Sequence, residues 1–74
     1  MAITAAALQA ELGTGAMSPR VLMQFNGEGG TKQLWYISGG ALYPGRVRKI
    51  ETTAADDAAT QKAAVDTAFL AGPA

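Results

Sequence analysis

Leu34-Trp35-Tyr36-Ile37 is four large apolar or aromatic residues in a row. The rest of the chain is built mostly from Ala, Gly, Thr and small polar residues, and these four include its only Trp and one of its two Tyr. A β-strand points successive side chains to opposite faces. Leu34 and Tyr36 therefore share one face, and Trp35 and Ile37 the other. Both faces of such a strand need cover, and a short chain has little with which to supply it.

Working outward, the strand spans Lys32 to Ser38 and breaks at Gly39-Gly40. A preceding strand runs from Arg20 to Asn26, with Val21, Met23 and Phe25 on one face and Leu22 on the other. Asn26-Gly27 signals a hairpin, with a loop over Gly27-Glu28-Gly29-Gly30-Thr31. Beyond the break, Ala41-Leu42-Tyr43 resumes extended structure before a Pro44-Gly45 turn. Arg46 to Glu51 forms a third strand, with Val47 and Lys49 on one side and Arg46, Arg48 and Ile50 on the other. Three antiparallel strands are far more stable than a bare hairpin.

Helices flank this sheet. Thr4 caps a short first helix that ends near Leu12. Ile3 and Leu8 have the spacing of a hydrophobic staple, Ala5, Leu8 and Leu12 share a face, and Gly13 ends the helix. A linker over 13–19 leads to Pro19, which suits the entrance to a strand. The second helix occupies 53–71. Thr53 and Asp56 approximate a capping box, and Gly72-Pro73 stops it. Ala55, Ala58, Val65, Ala68 and Phe69 line its inner face, with Gln61, Lys62, Asp66 and Thr67 mostly elsewhere. The expectation is one α+β domain over 1–74 in the order α-β-β-β-α: helix 1–12, linker 13–19, strands 20–51 and helix 53–71. The three-stranded antiparallel sheet packs on the long C-terminal helix. The first helix covers part of the opposite face or leaves it to another chain.

Composition narrows the function. A chain of 74 residues buries about 60% of its surface, against about 70% for twice the length. Its core supplies only ~3–5 kcal/mol net, so small domains usually add a disulfide, a metal or oligomerisation. There is no Cys and no His, which removes disulfides and the usual metal ligands and leaves oligomerisation. The same absence removes the commonest general base and the strongest nucleophile. Ser18 and Ser38 sit beside no base, and the carboxylates read as helix caps and surface charge. Gly27 to Lys32 lacks the Gly-Lys-Ser/Thr of a phosphate loop. No catalytic residue, cofactor, metal or small-molecule substrate is expected.

Six basic and six acidic residues cancel, whereas phosphate binding calls for a positive excess. The one basic cluster, Arg46, Arg48 and Lys49, supports an alternative reading as a small nucleic-acid-binding or regulatory module, with Trp35, Tyr36 and Tyr43 as stacking platforms. Against it, charges on an edge strand also serve to discourage unwanted pairing. No run of ~20 apolar residues would span a membrane, and the start of the chain lacks the basic region of a secretory signal.

The chain begins Met1-Ala2-Ile3-Thr4, is rich in Ala, Gly and Thr, and lacks Cys and His. In that composition it resembles the small virion proteins of tailed bacteriophages: head decoration, head–tail joining and tail components. The resemblance implies a structural protein of the virion, made in the host cytoplasm and acting through contact with identical or neighbouring subunits. Phe25, Trp35, Tyr36 and Tyr43 are the candidate interface anchors, because aromatic residues are enriched at interface centres.

Overall fold

The computed structural model describes residues 3–26 and 31–71, with only the backbone of Phe25 and Asn26. The hairpin tip at Gly27–Gly30, the Gly72-Pro73 stop and the Phe25 side chain lie outside the described residues. The chain forms α1 (Ala5–Leu12), β1 (Arg20–Asn26), β2 (Lys32–Ser38), β3 (Val47–Thr53) and α2 (Ala58–Leu70). The fold is α+β: a three-stranded antiparallel sheet in the order β1-β2-β3 with two helices. The C-terminal helix is modest, at 13 residues.

Local chemistry sets α1. The Thr4 hydroxyl accepts from the Ala7 N–H at 3.1 Å, satisfying one of the free donors of the first turn. Leu8 and Leu12 are buried, and Ile3 and Ala5 pack against the same cluster. Gly13, at φ 103°, ends the helix with its N–H donated to Gln9 O.

Both helices lie on the same face of the sheet, so the first helix does not cover the opposite one. α1 packs on β1 and on α2, and α2 packs on β3. Their side chains Leu8, Leu12, Val65 and Phe69 join Trp35, Ile37 and Ile50 in one buried cluster. The reason is alternation: Trp35, Ile37 and Ile50 share this face and both helices bury their apolar stripes against it, with β1 and β3 at opposite edges. The connections then drop one helix over each half.

Three expectations need correction. First, Val21 and Met23 do not share a face. The register slips between them, so Val21 pairs with Ile37 but Met23 with Tyr36. A β-bulge of this kind inserts a residue and reverses the alternation beyond it. Gln9 holds it: its Oε1 accepts from the Val21 N–H at 2.8 Å, and its Nε2 donates to Gly13 O and Pro19 O.

Second, Ala41-Leu42-Tyr43 is a turn, with Tyr43 N donating to Gly39 O and Arg46 N to Tyr43 O. This turn is tied to the linker, because Leu42 N donates to Met17 O at 3.2 Å. Gly40 lies against the linker at φ 62°, and a Cβ there would sit 2.3 Å from the carbonyl oxygen of Ser18. Gly40→Ala is therefore expected to cost at least the ~1–3 kcal/mol of a strained backbone, read as a lower urea midpoint. Gly15→Ala, where a Cβ meets nothing within 4 Å, should leave that midpoint near the wild-type value.

Third, α2 begins later than expected and Thr53 does not cap it. Pairing of Gln33 with Thr52 and of Lys32 with Thr53 carries β3 on to Thr53, as suits β-branched residues. The cap is Asp57, whose carboxylate accepts from the Thr60 N–H at 2.8 Å. That backbone hydrogen bond, helped by the Thr60 side chain, holds the Asp57 carboxyl below the usual aspartate value. A folded-state value below the unfolded one adds stability above the unfolded value, lost as pH falls through the folded one. Asp57→Asn, which still caps, should flatten the acid limb of the helix signal in far-UV circular dichroism.

Candidate functional surface

The covered side of the sheet holds a polar network inside the apolar core. Trp35, Gln33 and Gln61 are fully buried, and Thr52 is nearly so. The indole N–H of Trp35 donates to Thr52 Oγ1 at 3.0 Å and to Gln61 Oε1 at 3.1 Å. Thr52 Oγ1 lies 2.6 Å from Gln61 Oε1. Gln61 Nε2 donates to Gln33 Oε1 at 3.0 Å and to Asp56 O at 3.1 Å. Gln33 Nε2 in turn donates to Ile3 O, which also accepts from Gln24 Nε2 at 2.8 Å. The network links the N-terminal segment, all three strands and α2. Among the described residues no buried side-chain polar atom lacks a partner.

This overturns the expected placement of Gln61 away from the inner face. Gln61, Val65 and Phe69 form the buried stripe of α2 at i, i+4 and i+8. The spacing was visible in the sequence; the polar head of Gln61 hid it. Every group in the network is neutral, which avoids the cost of burying charge.

Among the described residues the opposite face carries no helix. Leu34 and Tyr36 of β2, Met23 of β1, and Val47 and Lys49 of β3 lie on it, by their register with one another. Met23 is 56% exposed, Val47 40% and Tyr36 38%, and Leu22 at the bulge is exposed beside them. Leu34 is half-buried. Two shallow depressions between β2 and β3 flank Lys49, one lined by Tyr36, Val47 and Arg48 and the other by Leu34, Trp35, Ile50 and Glu51. Glu51 pairs with Lys32 at 3.5 Å on the same face.

The candidate anchors therefore separate. Trp35 is core, sealed beneath the helices, and presents no surface to a partner. Tyr43 is half-buried and stacks on Phe69, with ring centroids 5.2 Å apart. Of the described aromatic candidates, Tyr36 stands on the open face. Met23, Val47 and Leu22 were missed there. Met23 needed knowledge of the bulge, whereas Val47 followed from its alternation with Lys49.

The basic cluster separates too. Arg46 donates to Phe69 O at 3.1 Å, near the C-terminus of α2 where a cation is favoured, and lies 5.9 Å above the Tyr43 ring. Arg48 is half-buried and pairs with Ile37 on the helix side, while Lys49 pairs with Tyr36 on the open side. Among the carboxylates, Asp66 accepts from Lys62 at 2.7 Å, and the Asp66 carboxylate holds the Lys62 ammonium above its usual value. No helix among the described residues is long and apolar enough to cross a membrane. Compared with protein-family models, curated proteins and solved structures, the chain matches none of them.

Proposed function

We propose that this chain is a non-enzymatic structural or assembly protein that works through contacts between subunits, of the kind made by small virion proteins of tailed bacteriophages. The observation that carries the proposal is the uncovered sheet face. Met23, Leu34, Tyr36 and Val47 form an apolar strip across all three strands. The two helices among the described residues are both spent on the other side. Apolar surface gathered in one place, with charges at its rim, marks an interaction site. The composition adds to this reading: a small core without disulfides gains its missing stability by association.

The nucleic-acid reading has less support, because Arg46 and Lys49 serve different sides of the sheet and Arg46 is engaged with the end of α2.

The test is the mass of the pure protein in solution. Light scattering at about 100 μM, a concentration matched to micromolar contacts, should give an oligomer. Tyr36→Lys should dissociate it without unfolding the chain, since Tyr36 lies outside the buried cluster. A wild-type chain that stays monomeric at that concentration would overturn the proposal.

A further inference from the structure

The open face has a charge pattern that selects its partner. Along β3, Lys49 and Glu51 occupy neighbouring positions on this face, opposite Tyr36 and Leu34 of β2. Turn a second copy about a twofold axis that runs across the strands, midway between the Tyr36 and Leu34 levels. Each strand then lies antiparallel over its own counterpart. Tyr36 meets Leu34 of the second copy, and Leu34 meets its Tyr36. Lys49 meets Glu51 of the second copy, and Glu51 meets its Lys49. Tyr36 and Leu34 cover one another at the centre, Val47 meets Thr53 of the second copy, each cation at the β3 edge faces an anion, and the pattern closes on itself as an isologous contact requires.

Resting on the assembly reading above, we infer that the open face binds a second copy of this chain, sheet against sheet, with reciprocal Lys49–Glu51 pairs at the β3 edge. The result is a four-layer dimer, with helices outside and two sheets inside. Two twisted sheets pack this way with strands within about 30° of alignment and about 10 Å between layers.

The available area fits. Three strands of 7 residues give a backbone footprint of about 23 by 14 Å. Side chains extend that to on the order of 500 Å² per copy, so the pair buries about 1,000 Å², the lower bound for a specific interface. The contact is consequently of moderate affinity and concentration-dependent. Zero net charge removes long-range repulsion between copies. Rotation about an axis along the strands instead places Lys49 over Met23 of the second copy and leaves Glu51 without a cation across the interface.

A charge swap tests the pairing. Sedimentation equilibrium of the whole chain measures the dimer dissociation constant of wild type, Lys49→Glu, Glu51→Lys and the double variant. Each single change sets like charges opposite one another at two symmetric places, and should weaken the dimer about tenfold or more. The double variant restores opposite pairs and should return to within about threefold of wild type, a margin well inside the tenfold step. All four should melt at similar temperatures, because both side chains are exposed and the Lys32–Glu51 pair that the Glu51→Lys and double variants lose is itself a solvent-exposed pair of little weight. If the wild type associates but the single changes have no effect, or the double variant fails to rescue, this dimer is overturned and the assembly reading stands. If the wild type is monomeric throughout, both fall together.

Discussion

Trp35→Ala should leave this chain largely unfolded at room temperature. Removing a buried Trp costs ~3–5 kcal/mol through lost transfer energy and the cavity left behind. The net stability from a core of this size is itself only ~3–5 kcal/mol. Trp35 is fully buried and lies in one cluster with residues of both helices and two strands, so no neighbouring segment can collapse into the space without leaving its own contacts. A second variant separates packing from hydrogen bonding. Trp35→Phe retains an aromatic ring but has no N–H for Thr52 and Gln61, and should cost about 1–3 kcal/mol. Urea unfolding checks both: Phe should lower the midpoint with little change in slope, while Ala should abolish the cooperative transition. A Trp35→Ala chain that unfolds cooperatively near the wild-type midpoint would show that the indole is not the centre of the core.

The second large effect is expected at Gln61. Its amide nitrogen satisfies Gln33 Oε1 and Asp56 O, and its oxygen accepts from the Trp35 indole and faces the Thr52 hydroxyl. Gln61→Ala deprives several buried groups of partners at once. Each orphaned group costs ~1–3 kcal/mol, and the losses are not additive because the groups form one network. A total above about 3 kcal/mol is expected, to which the loss of one buried methylene and the cavity left behind also contribute.

Gln61→Glu gives the same site a pH test. A carboxylate there accepts from Trp35 and Thr52, but has no N–H for Gln33 Oε1 and Asp56 O. Burial and facing acceptors both raise its folded-state pKa above the unfolded value. The folded state then binds more protons than the unfolded one, so stability should fall as pH rises from the ordinary glutamate range. A variant whose stability is flat over that range would mean the position is wetter than the structure has it.

These two residues show what was legible in the sequence. The hydrophobic run around Trp35 marked the central strand, and alternation along Val47 to Ile50 assigned the sides of β3. The Thr4 cap and the Ile3–Leu8 spacing located α1. Gln61 was misplaced because polarity alone says outward, whereas a buried amide is stable wherever every donor and acceptor meets a partner. Its partners come from residues 28 and 9 positions away, Gln33 and Thr52, a distance that helical periodicity does not reach. The bulge in β1 was hidden for a similar reason. Nothing in Arg20–Asn26 announces an extra residue; it follows from Gln9, on another element, capturing the Val21 N–H. The start of α2 was drawn too early because Thr52 and Thr53 serve equally as cap or strand, and the β2 ladder decides between them. At the open face, Tyr36 was readable from its place beside Trp35, but Met23 was not.

The seat of Trp35 also decides what light can report about this molecule. The chain has one Trp, and it lies beneath the helices, on the far side of β2 from Tyr36. Its fluorescence should therefore respond to the opening of the core and stay silent when one copy meets another over the exposed strip. Titrating concentration while watching that emission becomes an internal control: a constant spectrum across a change in mass would mean that preformed subunits associate. A shifting spectrum would mean that joining a neighbour completes the fold.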